Sequence, residues 1–172
     1  MRPAILSIAF VAITACHRGL GLAATIPAAS GGMRTLYTMR YTDVAQGSGA
    51  IAEAEKCLYA HYTGWLVDGK KFDSSHDTTS DGKPRTPLGF RQGARQVIAG
   101  WDSGFEGMRV GGRRRLFIPY QAAYGQKGRP PVIPPRSMLV FDVELMDVTD
   151  APPIPAGTPP NQARCKGWDD RR

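Results

Sequence analysis

Between residues 35 and 42, Thr35, Tyr37, Met39 and Tyr41 alternate with Leu36, Thr38, Arg40 and Thr42, the period-two signature of a strand. Residues 43–55, with Gly47-Ser48-Gly49, read as a loop or bulge. Lys56 to Val67, rich in Tyr, Leu and Trp, forms a second strand closed by the turn Asp68-Gly69. The polar stretch Ser74 to Pro87 is loop. Gln96 to Met108 is the one helix candidate, and a poor one, because Gly100, Gly104 and Gly107 each cost up to about 1 kcal/mol against alanine. Tertiary packing must hold it. Arg113 to Pro119 is a third strand, Gln126 to Pro135 a proline-rich loop, and Met138 to Val148 a fourth strand with Leu139, Phe141, Val143 and Leu145 on one face. Four or more strands with one short helix describe an α+β domain in which an antiparallel sheet wraps the helix.

A chain of 172 residues with 42% apolar positions builds one core. Its 20 glycines and 14 prolines carry no period, which favours a turn-rich β protein over collagen or disorder. The formal charge of +7 raises nucleic acid as a partner, but no basic face with stacking aromatics and no known binding motif accompanies it. Arg113-Arg114-Arg115 leads straight into Leu116-Phe117-Ile118 and reads as a solvated strand end.

The chain divides into four segments. Residues 1–23 resemble an export signal: Arg2 supplies positive charge, and the apolar run from Ala4 to Ala15 is too short to span a bilayer. The run ends Ile13-Thr14-Ala15-Cys16, similar to a bacterial lipobox in which the cysteine is lipidated. Ordinary cleavage after Ala23 or Ala29 is the alternative. Residues 24–33 are a tether, 34–150 the folded domain, and 151–172 a proline-rich tail that lacks ladder donors and cannot extend a sheet. Expected locations are the periplasm, or the membrane facing it, with a lipid anchor as the sole membrane contact. Cys57 and Cys165 then remain as an even pair in an oxidising compartment, which suggests a disulfide. No Cys/His cluster has zinc spacing.

No nucleophile elbow, phosphate loop or dinucleotide fingerprint occurs. What stands out is a set of aromatic and apolar residues in loops and strand ends, Tyr62, Phe72, Phe90, Trp101, Tyr124, Ile133 and Phe141, which suggests a small hydrophobic pocket. Taken singly, Trp101, Phe141 and Tyr62 are core residues, Asp73 a turn or cap residue, and Tyr124 an ordinary loop tyrosine.

The segments Ala60-His61-Tyr62-Thr63-Gly64-Trp65-Leu66, Asp68-Gly69-Lys70-Lys71-Phe72-Asp73-Ser74-Ser75, Gln96-Val97-Ile98-Ala99-Gly100-Trp101, Ala123-Tyr124-Gly125, Ile133-Pro134-Pro135 and Leu139-Val140-Phe141-Asp142-Val143-Glu144-Leu145 change that balance. In order and spacing they resemble the FKBP-type peptidyl-prolyl cis-trans isomerases, over residues 56–149. The resemblance implies a twisted antiparallel sheet wrapped around one short helix, with the substrate proline held between them. It makes Trp101 the pocket floor and Tyr62, Phe72, Val97, Ile98 and Phe141 its walls. Tyr124 and the Ile98 N–H would donate to substrate carbonyls, Asp73 would sit beside the twisting amide, and Ile133 would belong to a flap.

Leu88 stands where the family often has an aromatic, while Phe90 keeps the second one, so the resemblance does not fix the preference beside proline. Arg129 either favours acidic residues near the proline or solvates its loop. His61 and Asp142 are read as structural. The resemblance further implies proline-containing polypeptides as clients, the family's macrolide inhibitors as ligands, and no cofactor, metal or nucleic acid; a monomer is expected. The rival reading is a binding module that holds proline-containing segments without turnover.

Overall fold

The computed structural model describes residues 38–171. The signal (1–23), the tether (24–33), Cys16 and the start of the first predicted strand lie outside them. Six antiparallel strands are present: β1 (Arg40–Ala45), β2 (Lys56–Leu66), β3 (Lys71–Ser74), β4 (Leu88–Arg91), β5 (Arg113–Ile118) and β6 (Leu139–Asp150). The order is β1-β5-β6-β2-β3, and β4 also pairs with β2. β3 and β4 share one edge of β2: β4 takes Cys57 to Ala60 and β3 takes Thr63 to Trp65. The polar loop between them therefore has both ends fastened beside the middle of β2.

Alternation explains which face is core. Leu58, Ala60, Tyr62 and Leu66 of β2 and Leu139, Phe141, Val143 and Leu145 of β6 are all buried and lie on the inner face. Paired with β6, Leu116 and Ile118 of β5 complete a surface against α1 (Ala99–Gly104), the one α-helix among the described residues. An extra residue in β6, Met146, separates the pairs Tyr59↔Asp147 and Ala60↔Leu145, and bends the sheet around the helix.

The helix is shorter than the Gln96 to Met108 expected from sequence. It cannot begin earlier because Ile98 is extended, at φ −62° and ψ 146°. Gly107, at φ +73°, turns the chain away after it. Its glycines are there for contact: a Cβ on Gly104 would stand 2.7 Å from Leu116 Cδ1, and one on Gly100 would collide with Ile118. Close packing thus replaces propensity.

Arg114 corrects the reading of the arginine run as solvated. It points inward from β5 and is buried, giving hydrogen bonds to Gly104 O (2.8 Å) and Glu106 O (3.2 Å) at the end of the helix, where backbone carbonyls lack partners. Its other side pairs with Asp43 at 2.6 Å and lies over the Tyr41 ring. Arg115, on the outer face, makes a bidentate pair with Asp142.

Beyond β6 the tail returns across the outer face of β2. Cys165 is joined to Cys57 by a disulfide with Cα atoms 5.8 Å apart, Tyr59 donates to Lys166 O (3.0 Å), and Trp168 meets the Tyr59 ring edge-on. This cover is why Cys57 and Tyr59, on the face that would otherwise be solvated, are as buried as Leu58.

Candidate active site

A cleft of ≈ 210 Å³ opens between the ends of β2 and β6, the start of α1 and the loop after β5. Trp101 is its floor because the helix begins two residues earlier and turns that side chain onto the sheet. The indole is 3% exposed and meets Tyr62 (5.0 Å between ring centres), Phe141 (5.3 Å), Phe105 (5.4 Å) and Phe90 (5.8 Å). Phe72, brought across by β3, stands perpendicular to Phe141 at 5.4 Å. Edge-to-face packing of this kind fixes the rings relative to one another.

The polar rim is equally fixed. Tyr62 donates its phenol hydrogen to Asp73 Oδ2 at 2.6 Å, and Arg85 gives Nη1 to Asp73 Oδ1 at 2.6 Å and to Ser74 O at 2.8 Å. Arg85 Nη2 reaches the Tyr62 oxygen at 3.3 Å. Burial, then the bond to Asp73, pushes the Tyr62 pKa up to about 12, so the phenol stays a donor. Burial alone would raise Asp73, but the hydrogen bonds from Tyr62 and Arg85 outweigh it and hold the carboxyl below its ordinary value. The site therefore carries a carboxylate already engaged by two donor groups.

Tyr124 and Ile98 line the cleft, and neither the Tyr124 hydroxyl nor the Ile98 backbone N–H at the head of α1 has a partner among the described residues. Trp101 Nε1 is buried and likewise unpaired. Val97, Ile98, Leu88 and Arg129 also line the cleft. Two of the residues singled out from sequence do not. Phe90 lies behind Trp101 and packs on Phe105 (5.4 Å), so it supports the floor from beneath. Ile133 lines an adjoining cleft of ≈ 450 Å³ with Pro130, Pro131 and Val132, which shares Phe72, Asp73, Tyr124 and Arg129 with the first.

Sequence reasoning missed Arg85 and Gln96. Arg85 sits in a polar loop where one arginine among Asp, Thr and Lys carries no signal, and only the fastening of that loop to both halves of β2 delivers it to Asp73. Gln96 lines the cleft beside Val97. His61 lies on the outer face, bonded through Nδ1 to Ser75 Oγ (2.9 Å) and stacked on His76 at 4.7 Å, away from the cleft. Among the described residues no three His, Cys, Asp or Glu side chains stand together as a metal site.

The chain matches the family described as FKBP-type peptidyl-prolyl cis-trans isomerase over residues 49–146. It is 48% identical over 106 residues to an FK506-binding protein of Neisseria meningitidis, covering 62% of this chain and 92% of that protein. It is also 48% identical over 108 residues to FK506-binding protein 4 of Dictyostelium discoideum, of whose length it spans only 28%. Among solved structures it superposes on FkpA from Escherichia coli with a TM-score of 0.57 and 42% identity, over 66% of this chain and 49% of that one.

Proposed function

This chain belongs to the FKBP-type peptidyl-prolyl cis-trans isomerase family, and from that premise we propose that it speeds rotation about X-Pro bonds in exported polypeptides by binding the twisted amide in the Tyr62, Phe72, Trp101 and Phe141 cleft. The observation that carries this reading is a site walled by four interlocked rings whose one carboxylate is already held by Tyr62 and Arg85. Such a site is suited to shape and desolvation and poorly suited to nucleophilic attack.

The barrier of about 18–20 kcal/mol comes from amide resonance, which water favours by stabilising the planar, charge-separated form. A dry cleft removes that support, and one that fits the twisted amide better than either planar isomer lowers the barrier by differential binding. The prolyl ring rests on Trp101. The Ile98 N–H and the Tyr124 hydroxyl donate to substrate carbonyls that flank the rotating bond, and Asp73, fixed beside it, orients the local field. Leu88, Val97 and Arg129 border the residues next to proline; Phe90 and Ile133 support the floor and the flap. No proton leaves the protein in this scheme.

Several relatives are named for binding FK506, and the same aromatic cleft is proposed to accept such macrolides. The isomerase domain is residues 34–150, and the protein is proposed to work as a monomer. Export is supported by the apolar run behind Arg2, with a mature N-terminus at lipidated Cys16 or further on; the intact mass of the mature protein distinguishes the two. No helix among the described residues is long and apolar enough to cross a membrane.

The test is the cis-to-trans rate of a short X-Pro peptide with and without purified protein. A rate proportional to enzyme concentration supports the reading. Tight binding of the peptide with no acceleration replaces it with a holding function.

A further inference from the structure

The family match ends at residue 146, yet the chain beyond it is tied to the cleft. The seven residues between β4 and α1 carry Gln96, Val97 and Ile98, three members of the cleft lining. On the inner side this loop is held by the helix: Gly93 N donates to Asp102 Oδ1 (2.9 Å) and Gln92 Nε2 to Asp102 O (3.1 Å). On the outer side the link is Gln96. Its Oε1 accepts from Arg91 N (3.0 Å), and its Nε2 donates to Ala163 O (2.8 Å) and, more weakly, to Pro160 O (3.4 Å) of the tail.

The tail can serve as a fixed point because three other attachments hold it. The disulfide fastens Cys165 to Cys57 on β2, Tyr59 on the same strand donates to Lys166 O, and Arg91 Nη1 donates to Pro152 O at 3.2 Å. Ala163, the main acceptor for Gln96, is itself buried. An open groove of ≈ 350 Å³ lies between Gly93, Ala94 and Arg95 on one side and Pro160 and Asn161 on the other. Packing is therefore thin there, and the Gln96 amide bridges the gap.

We infer that the disulfide-fastened tail is part of the isomerase site, and that Gln96 is a positioning residue through which the tail holds Val97 and the Ile98 N–H at the rim of the cleft. The role given to the Ile98 N–H rests on the function proposed above; the mechanical link from tail to loop does not. An N–H donor acts on a developing charge only if it is already aimed, so a loop that samples many positions loses turnover even when every cleft side chain is present.

The experiment compares the full chain with Gln96→Glu, with the double substitution Cys57→Ser/Cys165→Ser, and with the triple variant. Gln96→Glu keeps the acceptor for Arg91 N–H and the disulfide but replaces the donor to the tail with a carboxylate facing carbonyls. Two quantities are read: kcat and KM on an X-Pro peptide, and amide exchange across 91–102 with β6 as internal reference. The expected result is a fall in kcat/KM of about three- to tenfold in each variant. Exchange should quicken at 91–102 while β6 stays protected. The triple variant should do no worse than the worse of its parents, because both changes cut one connection.

Unchanged exchange at 91–102 in Gln96→Glu, or wild-type kcat/KM in a folded double-serine variant, overturns the inference. Fully additive losses in the triple variant do the same, since they mean tail and Gln96 act separately. Should the unaltered protein accelerate no X-Pro peptide, the proposed function falls and the exchange data alone decide whether the tail holds the loop.

Discussion

The Tyr62 phenol donates to one oxygen of Asp73 at 2.6 Å while Arg85 occupies the other at the same distance. The carboxylate nearest the cleft is thus a fixed charge with both oxygens engaged, a poor base and a good orienting group. The Tyr124 hydroxyl, by contrast, has no hydrogen-bond partner among the described residues, and the proposed function gives it a substrate carbonyl.

That difference predicts graded effects. Tyr124→Phe removes one neutral hydrogen bond to substrate and should lower kcat/KM by about two- to tenfold. Asp73→Asn breaks a charge-assisted network and should lower it by about tenfold, with the fold retained. Steady-state kinetics beside circular dichroism checks both. Complete loss in a folded Asp73→Asn protein means that the carboxylate moves a proton, and the shape-based mechanism is then wrong.

Stability should fall with acid in two separate windows. Burial first, then the neighbouring His76, holds His61 below its ordinary 6.5, with Glu144 opposing. The unfolded chain takes up that proton first as pH falls. The His61 contribution is therefore complete above about 6.5 and is lost as pH drops through the lower folded value. Asp73 is also lowered, so its contribution is complete above 3.8 and is lost as pH falls through its folded value. Urea midpoints from pH 7 to 3 should decline in both ranges; His61→Gln should flatten the upper decline and Asp73→Asn the lower. A native protein equally stable at pH 7 and 5 contradicts the assignment to His61.

The long strands were legible, β6 because its one-face apolar pattern survives a bulge and β2 because of its run of Tyr, Leu and Trp before a turn. β3 and β4 were not, because four residues such as Lys71–Ser74 offer no period and take their strand form from the edge of β2. Arg114 defeated a charge-based reading, since its burial depends on carbonyls at a helix end distant in sequence. In the site, the ordered motifs include Tyr62, Phe72, Trp101, Tyr124 and Phe141, which line the cleft, while Phe90 and Ile133 do not. What positions it was hidden: Arg85 arrives by loop closure and Gln96 acts through a tail that family motifs do not include.

Arg129 borders both adjoining clefts, is exposed, and has no ion pair among the described residues, whereas Asp73 is neutralised by Arg85. The mouth of the site therefore carries an uncompensated positive charge. Peptides with Glu beside the X-Pro pair should be turned over about two- to fivefold better than Lys counterparts in low salt, the difference shrinking as salt screens an exposed charge. Arg129→Glu should reverse the order. An unchanged ranking in that variant shows that Arg129 only solvates its loop.

Gly64 offers a way to move the cleft walls without altering any side chain that meets substrate. It lies on β2 opposite both Phe141 and Asp73, in extended backbone that any residue adopts, so only space is at issue. A Cβ there would stand 2.6 Å from Phe72 Cζ and 2.7 Å from Phe141 Cε1, inside the perpendicular contact between those rings. Both rings must yield, and the cleft must widen. Gly104→Ala is the matched control, because its Cβ would meet Leu116 at 2.7 Å, and neither Gly104 nor Leu116 lines the cleft. Each substitution should cost about 1–3 kcal/mol of stability through overpacking. Only Gly64→Ala should raise KM and depress kcat well below the native values at a temperature where both variants are folded. Equal losses in the two would mean that turnover follows global packing, and equal retention would mean that the Phe72 and Phe141 spacing does not set the fit to the twisted amide.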